Sequence, residues 1–322
     1  MIEASGLSKT YRTRAGVVEA VRGVDIEVHA GEIVAFLGPN GAGKTTTQRM
    51  LTTLLTPTAG TATVAGHDLR KDPLQVRRRI GYVPQGGSTA PEATVGEELI
   101  DHGRLYGLSK AQSEGRGRRL VSQLDLEGTW GRQTRTLSGG QRRRLDIALG
   151  LINEPPLLFM DEPSAGLDPQ SRANLWRHIR ALREDRAVTV FLTTHYLEEA
   201  DALCDRIVVI DRGVIVARGT PEELKRAVSG DAVSLRLRDL DDVEAASAVL
   251  EAMPHTSLTR SDGDVLDFSL PDASLALPEL FAALEQAGVG LAGIEVHRPT
   301  LDDVFLSLTG RALRDAPVST AA

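Results

Sequence analysis

Two stretches of this 322-residue chain hold residue types able to grip a polyphosphate and cut it. The first is "GPNGAGKTT", Gly38 to Thr46, which fits the spacing G-x-x-x-x-G-K-[ST] in full. Gly38, Gly41 and Gly43, with Pro39, Asn40 and Ala42 between them, let backbone N–H groups turn inward around phosphate oxygens. Lys44 sets an ammonium against the β- and γ-phosphates, the Thr45 hydroxyl can ligate Mg²⁺, and Thr46 closes the motif. The second is "LLFMDEP", Leu157 to Pro163, four apolar residues ending in two carboxylates. At a strand's C-terminal edge, Asp161 would bind Mg²⁺ directly or through water. Glu162, expected to point the other way, would polarise an attacking water. The bland alternatives are a glycine-rich surface turn and an acidic strand cap. The apolar strand "IVAFL" entering the loop and the helix leaving it favour the catalytic reading. Together the two motifs imply a nucleoside triphosphatase.

A third stretch raises a question, because it offers a second anion site. In "LSGGQRRRLDIALGL", Ser138 sits where a helix N-cap belongs, followed by two glycines and apolar residues at Leu145, Ala148, Leu149 and Ile152. A helix start with bare N–H groups and a hydroxyl binds anions. Arg142, Arg143 and Arg144 behind it read as a solvated helix flank, as do Arg77 to Arg79.

"LSGGQ" also matches the signature of ATP-binding cassette (ABC) proteins. Five specified positions arise by chance in on the order of one chain in ten thousand. The rest of the cassette pattern follows in order. Tyr11 resembles the aromatic that stacks on adenine, and Gln85 in "GYVPQ" resembles the Q-loop glutamine. "SAGLD", Ser164 to Asp168, is similar to the D-loop, and His195 in "TTHYLEEAD" to the H-loop histidine. The resemblance runs from Met1 to about Leu224. It implies an α/β P-loop cassette with an antiparallel β subdomain and a helical subdomain, the latter at "EATVGEELIDHGRLYGL". It further implies that two cassettes pack head to tail, with ATP between one phosphate loop and the other signature. Ser138, Gly139, Gly140 and Gln141 would then meet the γ-phosphate held by Lys44 of a second copy or a paralogue. Gln85 would sense Mg²⁺ and water, His195 would donate to the γ-phosphate, and Asp168 would support the partner's site or a local turn. A separate integral-membrane permease would be the other partner, which puts the chain on the cytoplasmic face of the membrane.

The positioning elements are legible from periodicity. "IEASGLSKTY" and "VEAVRGVDIEVHAG" alternate like antiparallel strands with hairpin turns expected at Gly16 and Gly31, whereas "PPLLFMDEP" and "AVTVFLTTH" are near-continuously apolar, as buried parallel strands are. After Gly219 the pattern changes. "AVSLRLR", "LDDVEAASAVLEAM", a hairpin turning at Asp262-Gly263, "PELFAALEQAG" and "VGLAGIEVHRP" give the order β-α-β-β-α-β of a ferredoxin-like unit over residues 231–310. Residues 311–322 are expected to form a flexible tail. The ending "HRPTLDDVFLSLTGR" resembles bacterial drug-exporter ATPases of the daunorubicin-resistance type, and also forms an apolar stripe at Leu301, Val304, Phe305 and Leu308 with Thr300 as N-cap.

Composition narrows the remaining classes. The chain is 41% hydrophobic and 25% charged, ordinary for a soluble globular protein. Its net charge of −7 argues against nucleic acid as a partner. The single cysteine, Cys204, excludes an intrachain disulfide and fits a reducing cytoplasm. No apolar run reaches the roughly 18 residues of a membrane helix, and the stretch "MIEASGLSKTYRTRAG" lacks the apolar run expected of a signal peptide. A ribosome-acting cassette protein would usually carry two cassettes, and a chromosome-type ATPase would carry long coiled coils. An importer ATPase differs from the exporter reading only in the tail.

Overall fold

The computed structural model describes residues 1–309 except 15, 229 and 255. The chain divides into two compact units, Met1–Thr220 and a second beginning at Pro221.

In the first unit β1 (Ile2–Thr13) and β2 (Gly16–Val28) pair antiparallel, Ile2 opposite Val28 and Tyr11 opposite Val18. Val24, Ile26 and Val28 are buried and alternate with exposed neighbours, the two-residue period of a sheet with one wet face. Gly31, at φ +77°, is no hairpin turn: it carries the chain out of this sheet into the next. There β3 (Ile33–Leu37), buried throughout, leads through the glycine loop to α1 (Lys44–Leu51). β4 (Ala59–Val64) and β5 (His67–Asp68) complete an antiparallel sheet in the order β2-β1-β4-β5. After α2 (Pro73–Arg79) and β6 (Ile80–Val83) come α3 (Val95–Leu105) and α4 (Lys110–Gln123). Each of the latter two opens on a reciprocal cap, Thr94 with Glu97 and Ser109 with Gln112. α5 (Gly139–Leu151), β7 (Leu157–Asp161), α6 (Pro169–Arg186), β8 (Thr189–Thr194), α7 (Leu197–Leu203), β9 (Arg206–Asp211) and β10 (Val214–Gly219) finish the unit.

The main sheet runs β10-β9-β3-β8-β7-β6, parallel except for β10. Phe36 and Phe159 both pack against Phe191 with ring centroids 5.6 Å apart, which locks three neighbouring strands together. Register does the rest. Leu37 lies opposite Thr194 and Asp161 opposite Thr193, so three strands end on one edge. Ligand chemistry in such sheets gathers at the carboxyl ends of strands.

In the second unit α8 (Pro221–Val228) precedes β11 (Asp231–Leu237), α9 (Val243–Ala252), β12 (Ser257–Asp262), β13 (Val265–Leu270), α10 (Ala273–Gln286), β14 (Leu291–His297) and α11 (Leu301–Thr309). The sheet order β12-β13-β11-β14, antiparallel throughout, splits each β-α-β pair around a central strand, as in a ferredoxin-like unit. Val233, Leu235 and Phe268 bury one sheet face with Leu250 and Leu280 of the helices. α10 begins five residues before the expected Pro278, because Asp272 caps it by accepting from the Ser274 N–H at 3.0 Å. α8 falls within this unit and packs on α11, so the compact boundary precedes the expected one at Leu224. Thr300 does cap α11, accepting from the Asp303 N–H at 3.3 Å. Of its apolar stripe Leu301, Val304 and Phe305 are buried, whereas Leu308 is 41% exposed. The expected tail, 311–322, lies outside the described residues. Among the described residues no helix is long and apolar enough to cross a membrane.

Candidate active site

The phosphate loop is built where a side chain would not fit. A Cβ on Gly38 would lie 2.2 Å from the Ile210 carbonyl oxygen, and one on Gly43 would lie 2.5 Å from that of Ala20. Gly43 also takes φ +105°, open to glycine and strained for other residues. α1 starts at Lys44, so the N–H groups of its first turn have no carbonyl one turn back and point into the loop. The Lys44 Nζ donates to the carbonyls of Gly38 (2.6 Å) and Pro39 (3.1 Å), which folds the loop around its own cation.

The acidic pair stands against this loop. The Asp161 Oδ1 accepts from the Thr45 hydroxyl at 3.2 Å and from the Thr193 hydroxyl at 2.5 Å. The Glu162 Oε1 lies 3.6 Å from Lys44 Nζ and 3.2 Å from His195 Nδ1, and Oε2 accepts from the Gln85 amide at 2.8 Å. The His195 nitrogen lies close to Oε1 but misses hydrogen-bond geometry. Strand alternation would send Glu162 away from Asp161. Instead Glu162 has φ +45°, a left-handed conformation that breaks the alternation and brings both carboxylates to the loop, one on Thr45 and one on Lys44. Such a backbone costs about 1–3 kcal/mol. It is held by the Glu162 N–H, which donates to both the carbonyl (3.0 Å) and the hydroxyl (3.1 Å) of Thr193.

Burial and charge oppose each other here. Burial pushes the Glu162 carboxyl up, but His195 and Lys44 together outweigh it and hold it below the usual glutamate range. For Lys44 the desolvation of its ammonium outweighs Glu162 and Asp161, and its pKa falls. The result is a buried, ionised carboxylate beside a buried cation, with an amide and an imidazole at the same oxygens. Such a carboxylate can accept a proton from water, and such a cation can neutralise phosphate charge. Thr45, Asp161 and Gln85 supply hydroxyl, carboxylate and amide oxygens, the hard donors that Mg²⁺ prefers.

The other expected residues stand apart from this cluster. Ser138 and Gln141 form a reciprocal cap on α5: Ser138 Oγ accepts from the Gln141 N–H at 3.2 Å, and Gln141 Oε1 accepts from the Ser138 N–H at 3.1 Å. The Ser138 O–H proton stays available to an outside acceptor, next to the uncapped N–H groups of Gly139 and Gly140. No hydrogen bond or ion pair among the described residues links Ser138–Gln141 to Gly38–Thr46. Tyr11 is 36% exposed on β1, opposite Val18 on the β2 segment that reaches the loop at Ala20. Asp168 acts locally, capping α6 by accepting from the N–H (2.9 Å) and hydroxyl (2.6 Å) of Ser171.

Three further residues shape the site, and the sequence offers a signal for only one of them. Thr193 joins Asp161 to the Glu162 backbone. Arg143, expected on a solvated flank, is 7% exposed and donates to the carbonyls of Pro84, Asp161 and Pro163. Asp146, 3% exposed, accepts from the Ser88 N–H at 3.2 Å. A carboxylate flanked by Leu145 and Ile147 in an otherwise apolar run is the available signal.

Similarity to known proteins agrees with this architecture. Residues 21–165 match the ABC transporter family, and residues 219–309 match the C-terminal domain of DrrA1-3-like ATP-binding proteins. The chain is 43% identical to the daunorubicin/doxorubicin resistance ATP-binding protein DrrA of Streptomyces peucetius, covering 100% of this chain and 96% of that one. It is 42% identical to the Nod factor export ATP-binding protein I of Cupriavidus metallidurans, over 92% and 94% of the two chains. Among solved structures, a bacterial ABC transporter cassette in dimeric form superposes with a TM-score of 0.63 at 26% identity, over 68% of this chain and 98% of that one. A dimeric post-hydrolysis cassette bound to ADP and Pi gives 0.63 at 25%, over the same shares. The chain therefore belongs to the ABC transporter family, as an ATP-hydrolysing subunit of its exporter type with a DrrA-like C-terminal domain.

Proposed function

We propose that this subunit hydrolyses ATP at a composite site, the Gly38–Thr46 loop of one copy facing Ser138–Gln141 of a second copy or paralogue, and so drives a separate membrane permease that expels a drug or antibiotic. The observation that carries the reading is the Glu162 cluster: one ionised carboxylate contacted by Lys44, Gln85 and His195 at the mouth of the phosphate loop. Glu162 takes the proton of the attacking water, which Gln85 helps orient. Lys44 and the loop N–H groups bind the β- and γ-phosphates, and His195 donates to the γ-phosphate. Thr45, Asp161 and Gln85 would hold Mg²⁺, which would neutralise phosphate charge. Tyr11 stacks on the adenine. Ser138 donates its hydroxyl proton, and Gly139 and Gly140 their N–H groups, to the γ-phosphate of the opposite copy. Asp168 positions the start of α6 beside that junction.

No hydrogen bond or ion pair among the described residues joins Ser138–Gln141 to Gly38–Thr46, which supports reading the second anion site as the one that receives the nucleotide of another cassette. ATP closes the pair and hydrolysis reopens it, since the γ-phosphate is the shared ligand. The permease docks on the cytoplasmic side, in a groove of about 620 Å³ lined by Leu54, Leu74, Tyr82, Leu105 and Tyr106 together with Pro84 and Ser88. Leu54, Leu74 and Leu105 are 59%, 53% and 83% exposed there, an apolar surface that calls for a partner.

The test is Glu162→Gln. It retains ATP affinity, accumulates an ATP-bound dimer and loses nearly all turnover. Hydrolysis near the parent rate removes Glu162 as the base. Affinity capture of E162Q with Mg-ATP in mild detergent recovers one multi-span membrane protein. Recovery of ribosomes or DNA-bound proteins alone overturns the transport reading.

A further inference from the structure

We infer that Arg143 is a positioning residue for hydrolysis: one buried guanidinium ties the signature helix α5, the loop carrying Gln85 and the backbone on both sides of Glu162 into a single rigid unit. Its Nε donates to the Pro163 carbonyl at 2.8 Å, Nη2 to the Asp161 carbonyl at 3.0 Å, and Nη1 to the Pro84 carbonyl at 2.6 Å. The first two acceptors flank Glu162, and the third immediately precedes Gln85. Glu162 and Gln85 in turn meet at 2.8 Å. The same cation therefore fixes the backbone of both partners in the Gln85–Glu162 hydrogen bond, one of the three side-chain contacts on the catalytic carboxylate.

The chemistry of the residue suits this role. A guanidinium is planar, permanently charged and carries five donors in a fixed fork, so it can span three carbonyls at defined angles. The nearest carboxylate, Asp146 one turn further along α5, lies at 3.9 Å and makes no close ion pair. Asp146 is occupied with the N–H (3.2 Å) and hydroxyl (3.4 Å) of Ser88, at the far end of the Gln85 loop. Two charged side chains of one helix thus hold both ends of that loop, and Pro84 and Ser88 also line the apolar groove. Glu162 needs such bracing, since its φ of +45° is one that its own residue type disfavours. Lysine cannot replace the fork, because an ammonium on a flexible stem reaches one or two carbonyls without fixing their relative positions.

The inference rests on Glu162 being the base. The experiment is single-turnover hydrolysis of radiolabelled ATP by an excess of full-length protein, for R143K, R143M, E162Q and R143K/E162Q, with ATP affinity and melting temperature measured on each. Arg143→Lys and Arg143→Met lower the hydrolysis rate about 10- to 100-fold, the range that a displacement near 1 Å produces, with ATP affinity within two-fold. In the E162Q background R143K lowers the residual rate no further and leaves the ATP-driven dimer intact, because nothing remains for it to position. Rates within two-fold of the parent in both single variants overturn the inference. A further ten-fold drop in R143K/E162Q, or a loss accounted for by ATP affinity, also overturns it and assigns Arg143 a general structural role. If E162Q itself turns over at the parent rate, the failure belongs to the Glu162 reading.

Discussion

Thr193 is the least conspicuous member of the site, and replacing it tests whether the acidic pair is held as described. The residue is fully buried, and its hydroxyl donates to Asp161 at 2.5 Å while accepting from the Glu162 N–H at 3.1 Å. Thr193→Val keeps the shape and removes both bonds. The Glu162 N–H retains the residue-193 carbonyl at 3.0 Å, so its loss is small. Asp161, 3% exposed, keeps only the longer Thr45 contact at 3.2 Å on that oxygen. A hydrogen bond to a buried charge contributes about 1.5–3 kcal/mol, and the surviving partner argues for the middle, about 2 kcal/mol. In a domain of this size that lowers the melting temperature by about 4–8 °C. Calorimetry on T193V and T193S provides the assay, with the Mg²⁺ dependence of ATPase as a second readout. T193S restores both, because serine supplies the hydroxyl, whereas T193V needs more Mg²⁺ for half-maximal rate. A T193V melt within 1 °C of the parent, with unchanged Mg²⁺ dependence, refutes the claim that Thr193 holds Asp161.

Other consequences are equally direct. Ser138→Ala removes the reciprocal cap of α5, costing about 1 kcal/mol of stability, and abolishes the ATP-driven dimer in the E162Q background while ATP binding to the single chain persists; gel filtration with and without ATP decides it. Glu162 is held below its ordinary range, so its charge adds stability that is complete above about pH 4.3 and is lost as pH falls through the folded value. Urea titrations at pH 7 and pH 3.5 should therefore differ less for E162Q than for the parent. Truncation after Thr220 yields a monodisperse cassette, whereas truncation after Gly230 leaves α8 without α11 and exposes Leu224, which is 5% exposed in the full chain; light scattering separates the two.

Much of the molecule is legible in one dimension, because its signals are local. The phosphate loop announces itself since its glycines answer steric demands within nine residues, as the 2.2 Å clash at Gly38 illustrates. The caps at Ser138 and Thr300 are legible for the same reason: donor and acceptor lie three residues apart. Parallel strands read as apolar runs because both faces are covered, and the hairpin at Gly263 follows from its turn chemistry.

What tertiary structure alone decided is the meeting of distant groups. Thr45 and Asp161 are 116 residues apart in the chain and touch because β3, β8 and β7 lie side by side in register. Composition marks Arg143 as cationic and helix periodicity leaves it among solvated neighbours. Only the packing of α5 against the ends of β6 and β7 shows that its guanidinium is buried among carbonyls. Strand alternation points Glu162 away from Asp161, and a single left-handed residue reverses it. A backbone angle of that kind is set by the contacts around it, here two from Thr193, and those contacts exist only once strands far apart in sequence have come together. Residue chemistry and short spacing were thus written in the sequence, whereas the charge balance at Glu162 and the bracing of its backbone required the fold.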